Sequence, residues 1–235
     1  MRKILLISSS KVYGSGYLDH CSQQIDDFLE GIETILFVPF ALADHEGYAA
    51  QARQRFAKMG RGLDSLHEAP DPRAAVAEAQ AMFIGGGNTF RLLKALVEAE
   101  LVGPIRQRVA GGMPYMGSSA GSNVACLTIK TTNDMPIVYP PTFDALGLVP
   151  FNLNPHYLDP DPDSPHMGET REARIREFHE LNKPPVLGLR EGALLRVDGG
   201  RAELQGSKGA RLFQQGEEAT EYSPGEDLSF LLEER

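Results

Sequence analysis

Met113-Pro114-Tyr115-Met116-Gly117-Ser118-Ser119-Ala120-Gly121-Ser122-Asn123 places a short apolar strand before a run of small residues, and Asn123-Val124-Ala125-Cys126-Leu127 can continue from it as a helix. A strand that turns at once into a helix around Gly-x-Ser-x-Gly lifts the middle hydroxyl clear of its neighbours, as a nucleophilic serine requires. Ser119 is that hydroxyl, because Gly117 and Gly121 flank it at two positions on either side and leave room for the bend and for a scissile carbonyl. The amide of Ala120 would then face the carbonyl oxygen as an oxyanion donor. Ser118 lacks the paired glycines, and Ser122, one turn into the helix, is expected to bond to nearby backbone. Such strings also arise by chance in Gly- and Ser-rich loops; the strand-to-helix setting is what favours chemistry here.

Outward from this turn, apolar runs alternate with amphipathic stretches. Ile4 to Ile7, Thr34 to Phe40, Ala81 to Ile84 and Pro114 to Met116 read as strands, with helices predicted over Tyr17 to Glu30, His45 to Met59 and Thr89 to Glu98. The rhythm predicts an α/β fold, a mostly parallel central sheet covered by helices on both faces, with active groups outside the carboxyl ends of the strands. Lys130 to Met167, rich in Pro, Asn and Asp, reads as a long functional loop. A charged helix follows over Glu169 to Leu181, then a core strand over Pro185 to Leu189. Gly192 to Phe213 reads as small antiparallel hairpins.

At 235 residues and 42% hydrophobic, the chain can bury one sizeable core as a single α/β domain. A net charge of -9 without any Lys/Arg run argues against nucleic-acid and anionic-membrane partners and for small-molecule chemistry. Ile4 to Ile7 is too brief for the core of a signal peptide and reads as a buried first strand. Cys21 and Cys126 are isolated, which points to a reducing, cytoplasmic setting rather than a disulfide framework.

A serine nucleophile needs a base. Among six histidines, His156 is the candidate, in Asn152-Leu153-Asn154-Pro155-His156-Tyr157, with His166 its rival. Asp134, in Thr131-Thr132-Asn133-Asp134-Met135-Pro136, is the natural third member and gives the chain order Ser, Asp, His. Glu191, just after the strand ending at Leu189, is the alternative acid. The short interval from Ser119 to His156 argues against the usual α/β-hydrolase layout. Gly85-Gly86-Gly87-Asn88-Thr89 follows a strand and opens a helix without completing a phosphate-binding fingerprint. Gly86 or Gly87 could supply the second oxyanion donor, and Asn88 and Thr89 could bond substrate; the same residues also suit a tight turn with an Asn/Thr cap. Asp159, Asp161 and Asp163 begin like a calcium loop but lack its glycine and its final glutamate, and no zinc motif occurs, so no metal is expected.

With Gly85-Gly86-Gly87-Asn88-Thr89-Phe90, the serine turn, Thr131 to Val138, Asn154-Pro155-His156, Gly168 to Glu172 and Arg190-Glu191-Gly192 all in order, the chain resembles the peptidase E family of α-aspartyl dipeptidases. The resemblance implies a three-layer fold similar to the class I glutamine amidotransferases. It also implies a cofactor-free serine peptidase acting on small Asp-Xaa peptides, with Ser119 as nucleophile, His156 as base and Asp134, or alternatively Glu191, as orienting acid. Ser122 departs from the alanine expected there. An Asp-Xaa substrate carries a β-carboxylate and an α-ammonium, so the pocket needs a cation and an acceptor; Arg171, at a helix start that the resemblance puts near the site, is the candidate cation. A β-aspartyl-arginine exopeptidase of the cyanophycinase kind and a silent ligand-binding domain are the alternatives, and the chain is expected to be a monomer or homodimer.

Overall fold

A computed structural model describes residues 2–161, 163 and 168–233. In chain order the elements are β1 (Lys3–Ile7), α1 (Ser22–Phe28), β2 (Thr34–Val38), α2 (His45–Lys58), β3 (Gly62–Ser65), α3 (Pro72–Glu78), β4 (Ala81–Ile84), α4 (Thr89–Glu98), α5 (Val102–Ala110), β5 (Tyr115–Ser118) and α6 (Ala120–Val124). They continue as β6 (Asn152–Tyr157), α7 (Arg171–Leu181), β7 (Val186–Arg190), β8 (Ala193–Asp198), β9 (Arg201–Gly206), β10 (Ala210–Phe213) and β11 (Thr220–Tyr222).

Seven strands form the main sheet in the order β3-β2-β4-β5-β1-β8-β9, parallel from β3 to β1 and antiparallel for β8 and β9. Its parallel strands inside the β3 edge are buried on both faces, so their side chains alternate between two apolar cores. Ile4, Leu6, Leu36, Val38, Met82 and Ile84 point to one core, shared with α4, α5 and α6. Leu5, Ile7, Ile35, Phe37, Phe83 and Met116 point to the other, packed by Ile25 and Phe28 of α1 and Ala49, Ala52 and Phe56 of α2. This is the expected α/β architecture of a mostly parallel sheet flanked by helices.

A second sheet, β11-β10-β7-β6, stands against the first core through Leu153, Leu187, Leu189 and Leu212, and α7 packs on it with Ile175 and Phe178. Strand β6 lies inside the stretch that reads as loop. Its inward positions include Asn152 and Asn154, buried amides rather than aliphatic residues, and Pro155 is tolerated because β6 is a sheet edge. Of the hairpins expected over Gly192 to Phe213, β8–β9 forms in the first sheet, while β10 pairs in the second sheet with β7 and with β11, which lies beyond that range. Three short elements have weak sequence signatures: β3 buries only alternate residues, α3 buries only Val76 under an Asp71 cap with Pro72 in its first turn, and α5 buries Ile105 and Val109. The first helix is shorter than expected, since the chain enters it through a left-handed Leu18 and a single 3-10 turn.

Cys21 and Cys126 are buried and unbonded, and burial pushes the Cys21 thiol up to about 12. Among the described residues no helix is long and apolar enough to cross a membrane.

The helix after the serine turn presses its backbone onto the sheet. A Cβ on Gly117 would lie 2.5 Å from the Gly121 carbonyl carbon, and one on Gly121 would lie 2.8 Å from that of Ile84. Backbone cannot yield as a flexible side chain does. Gly121→Ala is therefore expected to cost about 3 kcal/mol, readable in urea unfolding as a lower midpoint with an unchanged slope.

Candidate active site

Strand β5 ends at Ser118 and α6 begins at Ala120, so Ser119 alone makes the turn, at φ 52° and ψ −111°. A non-glycine residue holds such a conformation only where its surroundings over-determine it. Here Ser119 N donates to Ile7 O at 3.0 Å, and Asn123 N donates to Ser119 O at 2.9 Å. The neighbouring hydroxyls point elsewhere: Ser118 is fully buried, and Ser122 Oγ sits 2.8 Å from the carbonyls of both Ile7 and Gly117.

Strand β6 brings His156 to this hydroxyl across 37 residues, with Nε2 2.8 Å from Ser119 Oγ. On the other side of the ring, Nδ1 lies 2.7 Å from Glu191 Oε1. One tautomer satisfies both contacts: Nδ1–H donates to the carboxylate and Nε2 accepts from the serine. The carboxylate on the imidazole is thus Glu191, at the end of β7, and not Asp134. Asp134 Oδ2 instead accepts from Thr89 N at 2.7 Å and Thr89 Oγ1 at 2.6 Å, at the N-terminus of α4, where a negative charge meets unpaired amides. Chain order favoured Asp134; the fold brings the end of β7 beside β6 and reverses that choice. His166 lies outside the described residues.

Ala120 N opens α6 and has no partner within its helix. Of the two candidate second donors, Gly86 is already committed, its amide donating to Tyr48 Oη at 2.8 Å. The flanking amides are also bonded, Gly85 N to Val38 O at 3.2 Å and Asn88 N to Ala41 O at 2.8 Å. Gly87 is the remaining amide of this loop. Its φ of 135° and the Ala41 oxygen 2.5 Å from where a Cβ would stand explain the glycine.

The side chains of Asn88 and Thr89 are bonded within the protein, and Thr89 also lines the cavity beside Ser119. Asn88 Oδ1 caps α4 by accepting from Arg91 N at 3.0 Å while Nδ2 donates to Met135 O at 2.8 Å, and Thr89 Oγ1 is bonded to Asp134 and Thr132. Amides then fasten the loop at residues 131–133 to β6: buried Asn154 Nδ2 donates to Thr131 O and Asn133 Oδ1, and half-buried Asn133 Nδ2 donates to Pro155 O. The result is a small polar cavity whose walls include Ser119, Ala120, Asn133, Asp134 and His156.

Arg171 opens α7, is half-buried, and enters no ion pair among the described residues. Burial, with the nearby Arg174, lowers its pKa from the ordinary value, and the charge of Asp134 opposes the shift. Arg190, next to Glu191, is by contrast neutralised by Asp159 and Glu221, which raise its pKa. Elsewhere, Glu46, His67 and Glu68 bring ligand atoms within 4.8 Å of one another. Glu68 there is paired with Arg53, and His67 with Ser65 and Glu46, so these groups are satisfied as they stand.

Two residues at the site were missed in the sequence. Tyr48 lies in the first turn of α2 with nothing local to mark it. Ser8 directly follows β1, where the rule that active groups gather at strand ends could have flagged it.

The family model of peptidase family S51 matches residues 4–205. The chain is 53% identical over 232 residues to a Streptomyces coelicolor protein named peptidase E, covering 99% of this chain and 96% of that one. It is 51% identical over 235 residues to a Drosophila melanogaster protein named probable alpha-aspartyl dipeptidase, covering 99% and 98%. Among solved structures, a peptidase from an acI-B1 Actinobacterium superposes with a TM-score of 0.74 at 18% identity, covering 98% of this chain and 97% of that chain. A putative peptidase E protein from Listeria monocytogenes gives 0.69 at 20% identity, covering 88% and 100%.

Removing the Tyr48 hydroxyl strands a buried amide. Tyr48→Phe should lower unfolding stability by about 1–3 kcal/mol, with faster hydrogen exchange at the Gly86 amide. Unchanged exchange there would show that the loop does not depend on this bond.

Proposed function

The chain belongs to peptidase family S51, and on that premise we propose that it is a serine dipeptidase releasing an N-terminal, α-linked aspartate from Asp-Xaa substrates. One observation carries the reading: an unbroken chain of contacts from Ser119 Oγ through both nitrogens of His156 to Glu191. The name of the Drosophila relative supports the α-aspartyl preference.

In this reading His156 Nε2 takes the Ser119 proton as Oγ attacks the peptide carbonyl. The amides of Ala120 and Gly87 hold the developing oxyanion, and Glu191 fixes the ring tautomer and stabilises the imidazolium. His156 returns the proton to the departing amine, and water then attacks the aspartyl-enzyme by the same route to free aspartate. Glu191 is about half exposed, 53% by side chain, so its contact serves orientation more than stability.

Specificity follows from two charges. Arg171, without a described ion-pair partner, takes the β-carboxylate in a forked pair. Asp134, held by Thr89 and lining the cavity, accepts the α-ammonium with its second oxygen. A free amino terminus is thereby required, which confines cleavage to the N-terminal peptide bond and excludes an endopeptidase.

Steady-state kinetics on Asp-Leu separate these roles. Ser119→Ala should lose about three or more orders of magnitude in turnover, and Glu191→Gln about two to four, with little change in KM. Arg171→Met should lower kcat/KM by about 2–3 kcal/mol, a loss shared by Asp134→Asn through KM. A larger loss of turnover in Asp134→Asn than in Glu191→Gln would return the orienting role to Asp134. A panel of Asp-, Glu- and Asn-initiated dipeptides, with β-linked aspartyl-arginine alongside, should yield free amino acids only from the α-linked Asp series; release from the β-linked peptide would overturn the assignment.

A further inference from the structure

We infer that Ser8 is a positioning residue whose hydroxyl holds the backbone of His156 and the strand leading to Glu191 at one fixed point, and so keeps the imidazole aimed at Ser119. The inference rests on Ser119 and His156 acting as nucleophile and base.

Among the hydrogen bonds that meet at the dipeptide Ile7-Ser8, four tie the site together. Ile7 O accepts from Ser119 N at 3.0 Å. Ser8 Oγ accepts from His156 N at 3.0 Å and donates to Leu189 O at 2.8 Å. Ser8 N donates to Ala193 O at 3.1 Å. Glu191 lies midway between Leu189 and Ala193, both tied to Ser8, so all three members of the Ser119–His156–Glu191 chain are referred to two consecutive residues at the end of β1. Ser8 is fully buried, leaving no water to take over these bonds.

The need for such a strut is local. His156 has φ 54°, a left-handed conformation disfavoured for a non-glycine residue. The register between β6 and β7 shifts there: Pro155 pairs with Leu189 and Tyr157 with Arg190, so His156 drops out of the ladder. Its amide would be an orphan, and the Ser8 hydroxyl is what receives it. A hydroxyl suits the place because it accepts from one strand while donating to the other; alanine does neither.

The test is Ser8→Ala with Ser8→Cys, which fills similar space with a weaker hydrogen-bonding group. Three readouts are taken: Asp-Leu kinetics, the rate at which a fluorophosphonate labels Ser119, and the low-field proton resonance of His156 Nδ1–H. For Ser8→Ala, kcat and the labelling rate should both fall by about 10–100-fold, KM should stay within about twofold, and the Nδ1 proton should shift or broaden. Ser8→Cys should fall between Ser8→Ala and the unmodified protein. Rates are expressed per folded molecule, from urea unfolding of each variant. Wild-type rates per folded molecule, or an unmoved Nδ1 proton, in either variant would overturn the inference, and Ser8→Cys decides it should Ser8→Ala fail to fold. Labelling involves no peptide, so an unmodified protein that labels but leaves Asp-Leu intact would sink the substrate reading and leave this test standing.

Discussion

Close contact between backbones, made possible by the absent side chains of Gly117 and Gly121, is the constraint on which the remaining geometry depends. Helix α6 lies against β4 and β5 at a distance no Cβ could occupy, and that approach forces the chain to reverse within one residue. Ser119 takes the strained conformation because the elements before and after it are already fixed. Tyr115 Oη adds a clamp from below, donating to Gly121 O at 2.6 Å from a fully buried position. The strain is local, and the two apolar cores on either face of the sheet hold it in place.

The other half of the site comes from a different sheet. Strands β6 and β7 carry His156 and Glu191, and they meet the first sheet where β1 ends and β8 begins. A short turn from β7 to β8 moves the chain from one sheet to the other within residues 190–193, and Glu191 sits in that turn. The contact between Ser119 and His156 therefore depends on how two sheets are seated, which the Ile7-Ser8 bonds register at one corner and the bonds of Asn133 and Asn154 at another. Polar groups at this junction are buried but bonded to backbone across it, which gives the interface directionality that apolar packing alone lacks.

How far the sequence revealed this varies with the physics of each element. The parallel strands β1, β2 and β4 were legible because burial on both faces makes them uninterrupted apolar runs, and the serine turn because its glycines are sterically obligatory. Strand β6 was not, because buried asparagines flank its one core leucine, Leu153, and their partners are distant in the chain, a pattern that reads as loop. Elements β3, α3 and α5 escaped because each buries only one to a few apolar residues. At the site, Ser119 and His156 stood out from local context and lie in contact. The carboxylate partner could not be chosen locally: Asp134 follows a familiar chain order, while Glu191 reaches the ring only through the pairing of β6 with β7. The same holds for Gly86, whose amide looks free in the sequence and is taken by Tyr48, 38 residues earlier.

The solvent exposure of the His156–Glu191 pair, 37% and 53% by side chain, has a further consequence for the proposed reaction. With this exposure bulk water faces the ring, so any charge formed there is shielded and water dipoles must rearrange with each proton transfer. A dipeptide seated over Ser119 would displace that water with its own second residue. The leaving half of the substrate would then act as the stopper of an otherwise wet cup during acylation, and its departure would readmit the water that the second half of the reaction consumes.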